Sequence, residues 1–298
     1  MRAGRFARMA LRAELALLPQ ALAAIAILAL IAAFVFCEAI PALESVGLTN
    51  LLLGSEWAPQ YGKYGALPLV CGSLLVVAGC LLISVPLGIA VAVFLTELSP
   101  RWFSELVKPV VELMASVPSV VYGAFGLVVL APVLSAFIGV GVGKMALTAS
   151  LLLSAMVLPT IVSISSEAIA SVPVEYRRAS IALGATKWQT IRNVVLPAAR
   201  PGILASIMLG FGRAIGETVA VLMVCGCVPS IPQPIFNLLS PVHTLTAAIA
   251  LEMGETPVGS MHYHVLFALG AVLFSITFLV NMLSDIALRN VNRGPVEA

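Results

Sequence analysis

Polar residues are so sparse along this chain that it reads as six apolar blocks separated by charged or proline-rich stretches. The blocks run approximately over 15–37, 67–95, 110–138, 145–166, 202–227 and 265–288. A helix rises 1.5 Å per residue, so about 20 residues cross the ~30 Å hydrocarbon layer of a bilayer. Every block meets that length. The pattern predicts an all-α, polytopic membrane protein with six transmembrane helices. Pro86, Pro118, Pro132 and Pro159 are expected kink sites within them.

Between the blocks the chain changes character. The stretches 38–66 and 228–264 are long. The second carries Pro229, Pro232, Pro234, Pro241 and Pro257, so irregular or short re-entrant structure is expected there. The stretch 167–201 is polar, basic and helix-compatible between Pro173 and Pro197. No soluble domain fits. The expected organisation is an N-terminal part (1–66), a transmembrane core (67–288) containing the loop 167–201, and a tail (289–298).

Composition points to the same solvent. Hydrophobic residues make up 60% of the chain and charged residues 10%, against about 25% charge in an ordinary soluble domain. A net charge of +2 does not decide on nucleic acid, and no such partner is expected. Placement of the charges is informative. With the N-terminus in the cytoplasm, thirteen of the 16 Lys and Arg residues fall on that side. Only Lys63 and Lys144 fall outside, and Arg213 lies within a block. Cytoplasmic segments carry the excess of Lys and Arg, so both termini are expected inside. Arg2, Arg5, Arg8 and Arg12 look like the head of a secretion signal. The apolar stretch after them is long and lacks a clean cleavage site, so a retained span is expected.

The loop at 167–201 holds the first candidate chemistry. Arg178-Ala179-Ser180-Ile181-Ala182-Leu183-Gly184 reads as a short helix with a Gly stop, and Val194-Val195-Leu196-Pro197 as a Pro break before the next span. Ala179, Ala182 and Leu183 form an apolar stripe at i, i+3, i+4. Such a helix suits a groove on a soluble partner, or equally the lipid headgroups. The pattern resembles the E-A-A-x3-G-x9-I-x-L-P loop of bacterial ABC importer permeases. In that family the loop forms a coupling helix that docks into the ATPase subunit. Gly184, Leu196 and Pro197 match; Arg178 stands in place of the Glu and Val194 in place of the Ile. The resemblance implies ATPase coupling through Arg178, Ala179, Ala182, Leu183, Gly184 and Pro197. Glu175, one turn earlier, is a candidate substitute for the ionic contact.

The fifth block carries Arg213 and Glu217. A charge at mid-span costs roughly 2.5–3.5 kcal/mol on the insertion scale. Glu217 is four residues on, hence expected on the same helical face. The pair reads either as self-neutralising or as facing a pathway. Gly212 and Gly216 are expected to form a small-residue face that lets another helix approach.

The run Arg213-Ala214-Ile215-Gly216-Glu217-Thr218 looks like that of the permeases of the phosphate-specific ABC importer. Tyr64-Gly65-Ala66-Leu67-Pro68, Gly72-Ser73 and Pro86-Leu87-Gly88 resemble the same family, and the likeness extends over about 56–290. It favours the C-type (PstC) of the two permeases over the A-type (PstA). It implies the ABC importer type I permease fold and a second, related permease. It also implies two copies of a cytoplasmic ATPase, which binds ATP with Mg, and a periplasmic or lipid-anchored phosphate-binding protein. No cofactor is expected on this chain. Arg213, Glu217 and Thr218 would line the phosphate route, with Glu217 holding Arg213 between transport events. A guanidinium offers a fork of donors that fits phosphate oxygens. Importing a divalent anion against 100 mV costs about 4.6 kcal/mol before any gradient is counted, so an energy source is needed.

Other features weigh less. Gly139-Val140-Gly141-Val142-Gly143-Lys144 fails the phosphate-loop pattern, because Ile138 stands where the first Gly belongs and Met145 where Ser or Thr belongs. Cys71 and Cys80 read as core, and Cys225 and Cys227 lie near a membrane face. His243, His262 and His264 read as solvated loop residues, as do Glu252 and Glu255; no metal site is expected. Glu112 is expected at the inner interface, and Asn281 and Asp285 at a helix interface or the headgroups. Competing functions are a permease for another oxyanion, such as sulfate or molybdate, and an ion-coupled secondary transporter. An intramembrane enzyme would need a nucleophile–base set, and none is visible.

Overall fold

The computed structural model describes the backbone of residues 2–292 and the side chains of 18–284 together with Ile286. The side chains of Arg2, Arg5, Arg8, Arg12, Asp285, Arg289 and Arg293 lie outside these. Six helices are long and apolar enough to cross a membrane: Leu18–Val46, Leu67–Leu98, Ser119–Ile138, Ala146–Ala170, Lys187–Gly216 and Met261–Ser284. The fourth span is the hub. Of its most apolar window 61% is buried inside the protein, against 6% for the first span, which lies at the periphery. Leu22, Ile25 and Leu30 on the first span point outward, an arrangement that only a lipid environment makes favourable.

The central cluster joins Val76 and Cys80 of the second span, Leu153, Met156 and Val157 of the fourth, and Phe211, Ala214 and Ile215 of the fifth. Gly202 and Gly210 let the fifth span press onto the fourth. A Cβ on Gly202 would lie 2.3 Å from the Ala168 Cβ, and one on Gly210 would lie 3.0 Å from the Val157 Cγ1. Within this chain the close approach falls at these two glycines and not at Gly212 and Gly216. No atom of this chain lies within 4 Å of a Cβ at either position. At about 100° per residue Gly212 sits about 160° around the helix from Gly210.

Two boundaries correct the sequence reading. The third span begins at Ser119, not at 110, because Val117 and Pro118 are extended (ψ 130 and 139). Residues Arg101–Ser116 form a separate helix, and a residue before proline disfavours the α conformation. Pro197 does not break the chain either. A π-turn over Ile191–Val195 leads into it, and the helix runs on to Gly216. Similar π-turns, Phe94–Leu98 and Gly126–Leu130, end two residues before Pro100 and Pro132. Proline lacks an amide and crowds the carbonyl four residues back, and a widened turn relieves both.

Of the two long connections, the first is shorter than the expected 38–66, because the first span runs on to Val46; it holds a short helix, Leu48–Leu53, and a small hairpin pairing Trp57–Ala58 with Lys63–Tyr64. The other, largely irregular as expected, contains the helix Leu245–Glu252, which folds back into the protein. Leu245, Ala247 and Ala248 are fully buried. Its start is fixed by Ser73, whose Oγ accepts from the Leu245 amide at 2.8 Å. Gly72 permits this docking, since a Cβ there would stand 2.3 Å from the His243 carbonyl oxygen.

Candidate functional site

Two chain breaks frame the candidate site. The first is the Val117–Pro118 interruption between the Arg101–Ser116 helix and the third span. The second ends the fifth span at Gly216. Glu217 is extended (φ −73, ψ 125), and a short helix, Val219–Val224, follows. Arg213 occupies the last turn before this second break and reaches the first. Its Nη2 donates to the Ala115 carbonyl at 3.4 Å, and its Nη1 to Thr160 Oγ1 at 3.2 Å. Ala115 ends a helix, where carbonyls lack internal partners and carry the negative end of the dipole. Tyr122 caps the same end through Met114, 2.9 Å away. Thr160 lies in the middle part of the fourth span, so the charge is at membrane depth.

The expected Arg213–Glu217 pair does not form. Among the described residues no ion pair within 4.0 Å joins them. The i, i+4 relation fails because the helix stops between them. Glu217 instead serves the second break: its Oε1 accepts from the Ala220 amide at 3.3 Å, and its carbonyl accepts from Thr246 Oγ1 at 3.1 Å. Thr218 Oγ1 turns back onto the Gly216 carbonyl at 3.3 Å. Arg213 is half-buried, and only part of its fork of donors is engaged within the chain.

Toward the 167–201 loop a cavity of about 190 Å³ continues from the same two helices. Lys108 and Glu112 line it from the Arg101–Ser116 helix, and Ser163, Ser166 and Glu167 from the fourth span. The Ser166 hydroxyl is buried without a partner. Thr160, Ser163 and Glu167 follow an i, i+3, i+7 spacing along the fourth span. That polar stripe was the available signal, and the sequence reading did not single it out, since it placed Glu167 beyond the fourth block.

In the 167–201 loop, a helix covers Val174–Ala182. Gly184 stops it in the left-handed region (φ +85). Its amide returns to the Ile181 carbonyl at 2.9 Å and that of Ala185 to Ser180 at 3.2 Å, the paired bonds of a Schellman ending. Ala179, Ala182, Glu175 and Arg178 are exposed, and Leu183 is 90% exposed. Neither Glu175 nor Arg178 enters an ion pair within 4.0 Å among the described residues. The sequence reading also missed Arg177. It donates to Glu97 Oε1 at 2.7 and 3.0 Å, to the Ile169 carbonyl at 2.8 Å and to the Val172 carbonyl.

The histidines correct the expectation of solvated loops. His262 Nε2 lies 2.7 Å from Glu252, and His264 Nδ1 lies 3.3 Å from Glu38. Trp57 Nε1 donates to Glu252 at 2.9 Å, and His243 is 5% exposed. His243 and His262 are packed because the Leu245–Glu252 helix brings its carboxylate against the start of the sixth span, and His264 because the first span continues past Glu38. Among the described residues, no three His, Cys, Asp or Glu side chains are grouped to hold a metal ion.

Comparisons with known proteins agree with this architecture. A probable ABC transporter permease protein of Bacillus subtilis (strain 168), YqgH, is 43% identical over 242 residues, 80% of this chain and 77% of that one. The phosphate transport system permease protein PstC of Mesorhizobium japonicum is 36% identical over 283 residues (88% and 84%). That of Haemophilus influenzae is 33% identical over 294 residues, 92% of each chain. Among solved structures, the inward-facing MetNI methionine ABC transporter aligns with a TM-score of 0.58 at 20% identity, covering 80% of this chain and 100% of that one. A bacterial alginate ABC transporter aligns with a TM-score of 0.61 at 16% identity, covering 88% and 89%. These structural likenesses speak to the fold alone. Residues 84–297 match the model of the binding-protein-dependent transport system inner membrane component, and the chain belongs to that family of multi-pass membrane permeases.

Proposed function

We propose that this chain is the C-type permease of an ATP-driven importer and that it passes inorganic phosphate across the cytoplasmic membrane. One observation carries the reading. Arg213 stands at membrane depth between two helix breaks, without a carboxylate partner within 4.0 Å among the described residues. A guanidinium held by one hydroxyl and one carbonyl keeps donors for an oxyanion. Names of relatives that are phosphate transport permeases support the choice of anion.

In this reading Arg213 meets the anion, while Glu217 and Thr218 shape the break beside it. The cavity holding Lys108, Ser163 and Ser166 is the next step toward the cytoplasm. Both termini lie inside. The exposed helix Val174–Ala182 docks, through Glu175, Arg178, Ala179, Ala182, Leu183 and the Gly184 stop, onto one of two copies of a cytoplasmic ATPase that carries ATP with Mg. Pro197 and its π-turn lie in the part of the fifth span that follows that helix region. A related A-type permease completes the pathway at the open Gly212–Gly216 face. A phosphate-binding protein delivers from outside. The core 67–288 carries transport, with 1–66 packed at its periphery.

The test is phosphate uptake by cells carrying Arg213→Ala, with membrane level measured in parallel. Uptake is expected to fall to background at unchanged membrane level. Unchanged uptake removes Arg213 from the route. Undiminished competition by sulfate in wild-type cells would move the assignment to another oxyanion.

A further inference from the structure

Cys225 and Cys227 sit in a tight turn at the end of the protein opposite the 167–201 loop, with their Sγ atoms 3.7 Å apart. The turn follows the short helix Val219–Val224. It curls through Gly226 (φ +89) and Cys227 (φ +52), the one non-glycine residue with positive φ among the described residues. Such a conformation is uncommon for a residue with a Cβ, and here it brings side chains i and i+2 together.

Its surroundings clamp this turn. The Cys225 carbonyl accepts from the Val242 amide at 2.9 Å. A Cβ on Gly226 would lie 2.7 Å from the Pro241 Cβ and 3.0 Å from the Lys144 carbonyl oxygen. Cys225 is fully buried. Cys227 is half-buried and lines a cavity of about 630 Å³ together with His243, Glu252 and His262. The buried His243 ring presents an Nδ1 that has no hydrogen-bond partner.

The two thiols are unequal. The Cys225 thiol, followed by the His243 ring and the Lys144 ammonium, lowers Cys227 to about 5 against the opposing effect of burial. Its bond to Cys227, and burial, push Cys225 upward. One sulfur is thus a thiolate that a reagent in the cavity can meet, and the other is a buried thiol in contact with it. Attack by an accessible thiolate and resolution by its neighbour is how dithiols exchange with disulfides.

We propose that Cys225 and Cys227 form a redox-modification site on the outer face, taking its oxidant from the disulfides of that compartment. The Cys227 thiolate attacks a small or protein disulfide, forming a mixed disulfide and releasing one thiolate. Cys225 gives its proton to that leaving thiolate and attacks the Cys227 sulfur. The Cys225–Cys227 bond forms and the second thiolate leaves. Two protein thiols are oxidised and one external disulfide is reduced, a two-electron exchange. The sulfurs must close from 3.7 Å to about 2.0 Å. The turn that moves also anchors Val242, at the head of the segment whose Thr246 holds the Glu217 carbonyl. The outer assignment rests on the orientation proposed above.

The test treats the full chain in nanodiscs with oxidised glutathione and reads each cysteine by differential alkylation and peptide mass spectrometry. Wild type is expected to lose the Cys225 and Cys227 thiols together, to retain no glutathione, and to recover both on reduction. Cys225→Ser is expected to retain one glutathione on Cys227, and Cys227→Ser to leave Cys225 free. Glutathione held on wild-type Cys227, or a Cys227 in Cys225→Ser that stays unmodified even at alkaline pH, overturns the pair. A membrane-impermeant maleimide in right-side-out and inside-out vesicles reads the side separately. Labelling of Cys227 only in inside-out vesicles overturns the outer assignment and the orientation, and leaves the glutathione result to judge the chemistry.

Discussion

Arg177 Nη2 lies 2.7 Å from Glu97 Oε1, with only 20% and 11% of the two side chains exposed, and this bond ties the exposed Val174–Ala182 helix to the end of the second span. The Arg177 fork also holds the carbonyls of Ile169 and Val172, where the fourth span ends. One guanidinium therefore links the helix to two spans at once. The hydrophobic cluster of Ala92, Val93, Ile169, Val172, Ile191 and Val195 surrounds the same junction.

Removing one member of this pair leaves a poorly solvated charge, which costs about 3–5 kcal/mol for a fully buried pair. Arg177→Ala and Glu97→Ala are expected to lower uptake by at least about tenfold, a loss of about 1.4 kcal/mol, while the ATPase still docks. ATPase co-purification together with transport in proteoliposomes checks this. If the double variant is no worse than either single one, the two residues act as a unit.

Arg213→Lys separates charge from geometry. Lysine keeps the cation but presents a compact ammonium in place of the planar fork. Uptake is expected to lie between wild type and Arg213→Ala, reduced by about tenfold. Equal uptake by Lys and Arg would show that the fork is not used.

Leu183→Asp tests the docking helix. Leu183 is 90% exposed, so the change is expected to alter fold stability by no more than about 0.5 kcal/mol. Co-purification of the ATPase is expected to be lost while thermal unfolding is unchanged. Retained ATPase binding would assign the stripe to the headgroups instead.

Gly72→Ala and Gly212→Ala should differ sharply. A Cβ at Gly72 would collide with the His243 carbonyl, whereas one at Gly212 meets nothing in this chain. Overpacking costs about 1–3 kcal/mol, so Gly72→Ala is expected to lower the unfolding temperature and Gly212→Ala to leave it unchanged. Gly212→Leu is then expected to weaken capture of the second permease, measured by pull-down.

Cys227 is held low chiefly by the Cys225 thiol. Its alkylation rate is expected to be flat between about pH 7 and pH 8, since the thiolate is already formed. Cys225→Ser exchanges that donor for a differently placed hydroxyl. It is expected to raise the Cys227 pKa, slow alkylation at neutral pH and restore a rise with pH. A flat profile in both would remove Cys225 as the cause.

Apolar length determined the six spans, and short motifs carried the exposed helix before Gly184 and the family likeness, because each is written in residues close together in sequence. Apolar length sets a span, and the spacing of Gly184, Leu196 and Pro197 sets a motif. The pattern could not say what Arg213 touches. Its partners, Thr160 and Ala115, come from other helices, and an i, i+4 relation to Glu217 holds only while the helix continues past Gly216. The same is true of Arg177 with Glu97, of Glu252 with Trp57 and His262, and of which glycines on the fifth span meet a neighbour. Those are decided by where distant helices break and cross. A local periodicity records which side of a helix is buried, and carries no record of which neighbour covers it.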